Sequence, residues 1–337
     1  MASLPQWKSI IRFKDNNGQV LYGEPLGDDL GKATVFEGSD MLSLTKTEKV
    51  VEVSELLAPY VPDTILCIGL NYKEHAKEGG FSLPKHPVVF HRQVFGRTCP
   101  TKCASANTYS STLKTLLRFA CLFCALLRLR TPTTINPFME NGQKSLANPR
   151  DFAESKNSIT GPYATIHMPP ESHAGSIDYE NELCFVISRD AKNVSAEDAP
   201  DYILGYAVGN DVSSRTWQAP DMCGGQFSYA KNFDSFCPIG PAIVSSKTVG
   251  DPQNLQITTR RGEKVVQSSN TSDMIFGIYE ILSFLSQGTT VPAGSLVMTG
   301  TPPGVAMFAS KPPNFLKSGE VVECEIEKLG KLRNEFK

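Results

Sequence analysis

In the stretch Ile177–Ile187, IDYENELCFVI, acids stand at every second position: Asp178, Glu180 and Glu182. Side chains on a strand point to alternate faces, so one continuous strand here turns all three carboxylates the same way. The second half of the stretch, with Leu183, Phe185, Val186 and Ile187, is apolar enough to be buried. Buried like charges this close are costly unless something compensates them. A fourth acid, Asp211, ends a second apolar run, ILGYAVGND. Carboxylates gathered in this way suit a hard divalent cation. Mg2+ takes oxygen ligands in an octahedron at about 2.1 Å and keeps several waters. Glu180, Glu182 and Asp211 would supply part of that shell and leave room for water or substrate. The competing reading, a solvated acidic strand face, is disfavoured by the apolar half of the strand.

A second pair of titratable groups lies upstream. YKEHAKEGG reads as a short helix ended by Gly79 and Gly80. His75 and Glu78 are three apart and share a face. By spacing alone they read first as an ordinary surface pair.

These residues need elements to hold them. WKSIIRF and VLYGEPL, joined by DNNGQ, read as a hairpin opening a small β-rich region over residues 1–62. DTILCIGLNY is a buried strand stopped by Gly69. SAEDAPDYI carries a Ser cap and early acids, a helix start. SDMIFGIYEILSFLSQG predicts an amphipathic helix capped at Ser272 and stopped by Gly288. GSLVMTGTPPGV is a strand running into a Gly/Pro turn, and GEVVECEIEKLGKLRNEF is a closing hairpin. The fold class expected is α+β, β-rich.

Residues 93–155 break this pattern. The segment mixes polar coil with a Leu-rich run, Leu113–Leu129, that is too short and too interrupted by Lys114, Arg118 and Arg128 to span a membrane. Cys99, Cys103, Cys121 and Cys124 invite a zinc reading, but CLFC lies in an apolar run without a turn residue, and zinc is set aside. A long insert between strands of a compact domain is unusual, so the segment reads as a loosely attached insertion or a gene-model artefact.

Composition bounds the rest. Of 337 residues, 40% are hydrophobic and 20% charged, which is globular, and the net charge of -2 offers nothing to nucleic acid or an anionic membrane. Nine cysteines without framework spacing, and a start without an apolar signal core, point to reduced thiols. The expected location is cytoplasmic, with a mitochondrial one the alternative.

Six blocks occur in order: CIGLNYKEHAKE, DYENELCFVI, GYAVGNDVSSRTWQ, AKNFDSFCPIGP, NTSDMIF and TGTPPGV. Together they resemble the fumarylacetoacetate hydrolase family, in its acylpyruvate-hydrolase-like branch, over residues 5–92 and 156–337. The resemblance implies a mixed β-roll catalytic domain, here residues 63–337 interrupted at 93–155, usually as a homodimer. It implies Mg2+ or Mn2+ on Glu180, Glu182 and Asp211, with Asp178 outside the ligand set. It implies a water-activating pair, His75 with Glu78, on a lid helix, and Lys231 pointing at the substrate. Arg215, Gln218 and Thr301 fall where the family lines its substrate site, and Lys156 matches a family lysine before the Gly-Pro turn.

The expected reaction is hydrolysis of a carbon–carbon bond in a small anionic acylpyruvate through a metal-stabilised enolate, with His75 taking a proton from water. The same electron sink serves an oxaloacetate tautomerase or decarboxylase, or a 2-hydroxy-dienoate isomerase. A non-catalytic metal-binding homologue is the remaining alternative.

Overall fold

Three strands, Asn181–Ile187, Ile203–Asn210 and Cys237–Ser245, are buried at every position. Strands covered on both faces read as continuous apolar runs rather than alternating ones. Leu183, Phe185 and Ile187 enter one core with Ile278, Ile281 and Leu282. Cys184 and Val186, on the opposite face, enter another with Ile239, Ile243 and Met298. Glu182 shares the face of Cys184 by the period of two and stands near the start of the strand.

The computed structural model describes residues 7–27, 29–38, 40–92, 158–170 and 175–337. All of these belong to one compact unit, Met1–Val94 with Ser155–Lys337. The insertion read at 93–155, its four cysteines and Leu-rich run, and Lys156 lie outside the described residues.

The β-rich α+β class holds. The main sheet runs in the order Thr45–Glu52, Lys32–Glu37, Val20–Pro25, Ser9–Lys14, Cys237–Ser245, Ile203–Asn210, Asn181–Ile187, Leu296–Met298, Ile65–Gly69, Val88–Arg92. Neighbours along it are antiparallel except Leu296–Met298 with Ile65–Gly69, which are parallel. The hairpin expected at the start is Ser9–Lys14 with Val20–Pro25, and Ser9–Lys14 continues onto Cys237–Ser245. A four-stranded sheet contains Lys264–Asn270, Gln256–Arg261, Val321–Ile326 and Gly330–Glu335, the last two being the expected closing hairpin.

Three local expectations are corrected. The acidic stretch is not one strand. Ile177–Asp178 pairs with Ser213–Ser214, and a separate strand starts at Asn181. The Asp178 carboxylate accepts from Tyr179 N at 2.8 Å, and Asn210 Oδ1 accepts from Glu180 N at 3.0 Å. Side chains thus take the N–H groups a ladder would use. The amphipathic helix starts at Ile278 rather than near Ser272. Asn71 holds the preceding residues extended: its carbonyl accepts from Ile275 N, and its side chain bonds both the N–H and C=O of Phe276. SAEDAPDYI forms only a four-residue 3-10 turn, Ala199–Tyr202, although Ser195 Oγ does accept from Asp198 N. Pro200, without an N–H, cannot extend it as an α-helix interior.

Candidate active site

Loop ends at one edge of the central strands bring acids and bases together. Glu182 is the second residue of Asn181–Ile187, Glu180 sits in the break before it, and Asp211 follows Ile203–Asn210. Asp211 N donates to the Glu180 carbonyl at 2.8 Å, which ties the two connections to each other. All three acids are buried, and each can offer an oxygen within 4.8 Å of the others.

Three cations answer them. Lys231, the last residue of the short Ser228–Lys231 helix, donates to Glu180 Oε2 at 2.7 Å and Asp211 Oδ2 at 2.6 Å. Arg215 gives Nε to Asp178 at 2.9 Å, and Nη1 to Glu180 Oε1 at 2.7 Å and to Gln218 Oε1 at 2.6 Å. Its Nη2 is buried without a partner among the described residues. Arg92, ending Val88–Arg92, donates to Asp211 Oδ1 and to the carbonyls of Lys231, Val212 and Phe236.

Glu182 is the exception. It is 2% exposed, forms no ion pair among the described residues, and accepts from Gly300 N at 2.8 Å. Gly300 makes that approach at φ +93°, where a Cβ would come within 2.9 Å of Asn71. Burial, then the neighbouring Asp211 and Glu180, push the Glu182 carboxyl well above its usual range. Burial would also raise Glu180, but Lys231 and Arg215 outweigh it and hold that carboxyl low. Burial would lower Lys231, but Asp211 and Glu180 outweigh it and keep the ammonium charged.

With Asp178, the four carboxylates exceed Arg92, Lys231 and Arg215 by one charge, and the excess rests on Glu182. A dication beside Glu180, Glu182 and Asp211 turns that excess of one negative charge into an excess of one positive charge, which suits an anionic substrate, and an all-oxygen donor set is the chemistry Mg2+ or Mn2+ takes. The residues therefore fit such an ion. Asp178 is outside this set. It is fully buried and accepts from Tyr179 N, Ala306 N, Met307 N and Arg215, bracing one loop against another.

His75 lies on the helix Lys73–Glu78, and its Nδ1 is 3.3 Å from Glu78 Oε2. A carboxylate only accepts, so the donor of this pair is assigned to Nδ1. Glu78 is itself fixed by Gly304 N, 3.1 Å from both of its oxygens. Thr301 Oγ1 accepts from Gln267 Nε2 at 2.9 Å.

Of the nine residues expected at the site, His75, Glu180, Glu182, Asp211, Arg215, Gln218, Lys231 and Thr301 line one cavity of about 490 Å³, and Glu78 stands behind His75. Sequence reasoning missed Arg92 and an apolar wall containing Phe90, Phe227 and Phe308. No spacing rule flags Arg92, since its partners are 119 to 144 positions away.

The model for "Fumarylacetoacetate (FAA) hydrolase C-terminal" matches residues 136–337. The chain belongs to the fumarylacetoacetate hydrolase family of enzymes, in its domain-containing branch. It is similar to the mitochondrial oxaloacetate tautomerase Fahd2a of Rattus norvegicus, 36% identical over 82% of this chain and 68% of the relative. A fumarylacetoacetate hydrolase domain-containing protein 2 homologue of Dictyostelium discoideum is 37% identical over 85% of this chain and 75% of its own length. Among solved structures, the 2-hydroxyhepta-2,4-diene-1,7-dioate isomerase of Mycobacterium marinum superposes with a TM-score of 0.66 at 27% identity, covering 99% of this chain and 98% of that one.

Proposed function

We propose that this chain interconverts the keto and enol forms of a small anionic 2-oxo acid of the oxaloacetate type, with Mg2+ or Mn2+ held by Glu180, Glu182 and Asp211. The observation that carries the reading is Glu182: a buried carboxyl with no ion pair among the described residues, beside two others, on a cavity shared with His75 and Arg215. The relatives named as oxaloacetate tautomerases and isomerases favour enol chemistry over bond cleavage. The ion, when bound, supplies a Lewis acid for the 2-oxo group.

The protein's own residues do the rest. Arg215 lines the cavity and is the cation placed to attract a substrate carboxylate. Lys231 and Arg92 hold Asp211 in place and limit the negative charge an anionic substrate meets. His75 Nε2 takes the proton from C3 of the keto form, and the proton is returned on the C2 oxygen to give the enol. Glu78 steadies the imidazolium formed in between. Thr301 and Gln218 flank the bound acid.

Hydrolysis of an acylpyruvate is the second reading. The His75–Glu78 pair favours it, because the same Nε2 can take a proton from water. Oxaloacetate and acetylpyruvate separate the two. With Mg2+, faster decay of the ultraviolet absorbance of enol-oxaloacetate supports the first, and cleavage of acetylpyruvate alone moves the assignment to the second. Loss of neither signal above background would sink both. His75→Ala is expected to slow the active reaction by about 10²–10⁴-fold. The mitochondrial label of the relatives favours the mitochondrial alternative for this chain, which subcellular fractionation checks. A homodimer remains the proposed assembly, read out as mass by light scattering.

A further inference from the structure

We propose that this cavity also takes 2-oxo acids bearing an aryl or branched alkyl arm at C3, and that the arm is held by Phe81, Val88, Phe90, Phe227, Met307 and Phe308. The inference rests on the enolisation reading above and specifies what the rest of the cavity is for.

The cavity has two chemically distinct walls. Its charged groups are those already described. Beside them the lining changes to rings: Lys231 Nζ is 5.1 Å from the Phe90 ring centroid, and the His75 ring is 5.8 Å from that of Phe308. Each of these rings has a second one edge-on to it. Phe227 stands 5.7 Å from Phe90, and Phe81 stands 6.1 Å from Phe308. The two aromatic pairs run from the charged end towards solvent, since Phe90 is buried while Phe81 is 51% exposed. Val88 and Met307 are 40% and 38% exposed on the same cavity. Apolar surface gathered around a polar reaction centre is what an apolar substituent covers.

Size and charge point the same way. A cavity of about 490 Å³ lies within the range of roughly 300–1,000 Å³ that takes drug-sized ligands, and a four-carbon acid fills a minor part of it. A second carboxylate extending along the apolar wall finds no cation among the described residues that form it. Lys231 is committed to Glu180 and Asp211, and Arg215 to Asp178, Glu180 and Gln218. Arg92 is held by Asp211 and backbone carbonyls and does not line the cavity. An aryl arm asks for no cation and meets ring edges and faces instead. The step itself is unchanged: a proton leaves C3, passes to His75, and returns on the C2 oxygen.

The test is deuterium incorporation at C3, followed by NMR in deuterated water with the full chain and Mg2+. Phenylpyruvate, pyruvate and oxaloacetate are compared. With each acid's rate divided by its own uncatalysed exchange rate, phenylpyruvate is expected to exceed pyruvate in kcat/KM by at least about tenfold, since even one methylene in an apolar pocket is worth about 10–200-fold. Phe81→Ala, at a half-exposed position that folding tolerates, is expected to cut the phenylpyruvate-to-pyruvate ratio severalfold. Conversion of oxaloacetate with phenylpyruvate no better than pyruvate overturns the inference and leaves the enolisation reading standing. No enzymatic exchange with any of the three overturns both.

Discussion

Glu182 and Asp211 sit in the same carboxylate cluster but differ in what opposes them, so their amides should part company. Asp211 is paired with Lys231 and Arg92, whereas Glu182 has a single backbone N–H. At an effective dielectric of about 20, two like charges 4.8 Å apart repel by roughly 3.5 kcal/mol. Glu182→Gln removes that repulsion and gives the neighbouring carboxylates an amide donor. Protonation and Lys231 already relieve part of it, so the metal-free protein is expected to gain about 1–2 kcal/mol. Asp211→Asn strands two buried cations and is expected to lose about 3–5 kcal/mol. The sign with pH follows from the raised Glu182 carboxyl. A raised folded-state value favours the native state at low pH and loses that contribution as pH climbs through it. The advantage of Glu182→Gln therefore grows with pH. Both variants should lose metal affinity by more than the about 100-fold typical of outer partners, or about 2.7 kcal/mol. Denaturant unfolding in chelator, alongside calorimetric Mn2+ titration, reads all four quantities. Equal destabilisation by the two amides in chelator would refute the charge assignment.

Arg92→Met should cost about 3–5 kcal/mol in thermal unfolding, because it leaves Asp211 and three carbonyls short of a donor in a buried site. Among the described cysteines, Cys67, Cys184, Cys237 and Cys324 are buried and Cys223 is half-buried. Burial pushes the Cys237 thiol up to about 11 and Cys324 up to about 12. Native-state labelling with a thiol reagent at mildly alkaline pH, mapped by mass spectrometry, should therefore modify Cys223 well before those four. We propose that residues 93–155 are dispensable for activity: a proteolytic cut within them should leave activity intact, and activity lost in step with such a cut would contradict the proposal.

Local pattern made much of this fold legible. The Gly69 stop, the short helix bearing His75 and Glu78, the run ending at Asp211 and the terminal hairpin all follow from turn residues and period. What stayed hidden was set by distant partners. The late start of Ile278–Ser286 depends on Asn71, 205 positions away from Phe276. The break after Asp178 depends on Asn210 and on the loop N–H groups of Ala306 and Met307. Alternation in sequence could not show it, because the spacing of the acids is the same with or without the break. The apolar wall draws on separate segments around residues 81–90, 227 and 307–308, none of which looks unusual alone.

The central claim is that a divalent ion on Glu180, Glu182 and Asp211 makes this cavity an enolising site. Its most direct test is the decay of enol-oxaloacetate by chain stripped with chelator and then titrated with Mg2+. Background rates are expected in the stripped protein, with full recovery at one ion per chain and no recovery in Glu182→Gln. Wild-type rates in the stripped protein, or in Glu182→Gln, would contradict it.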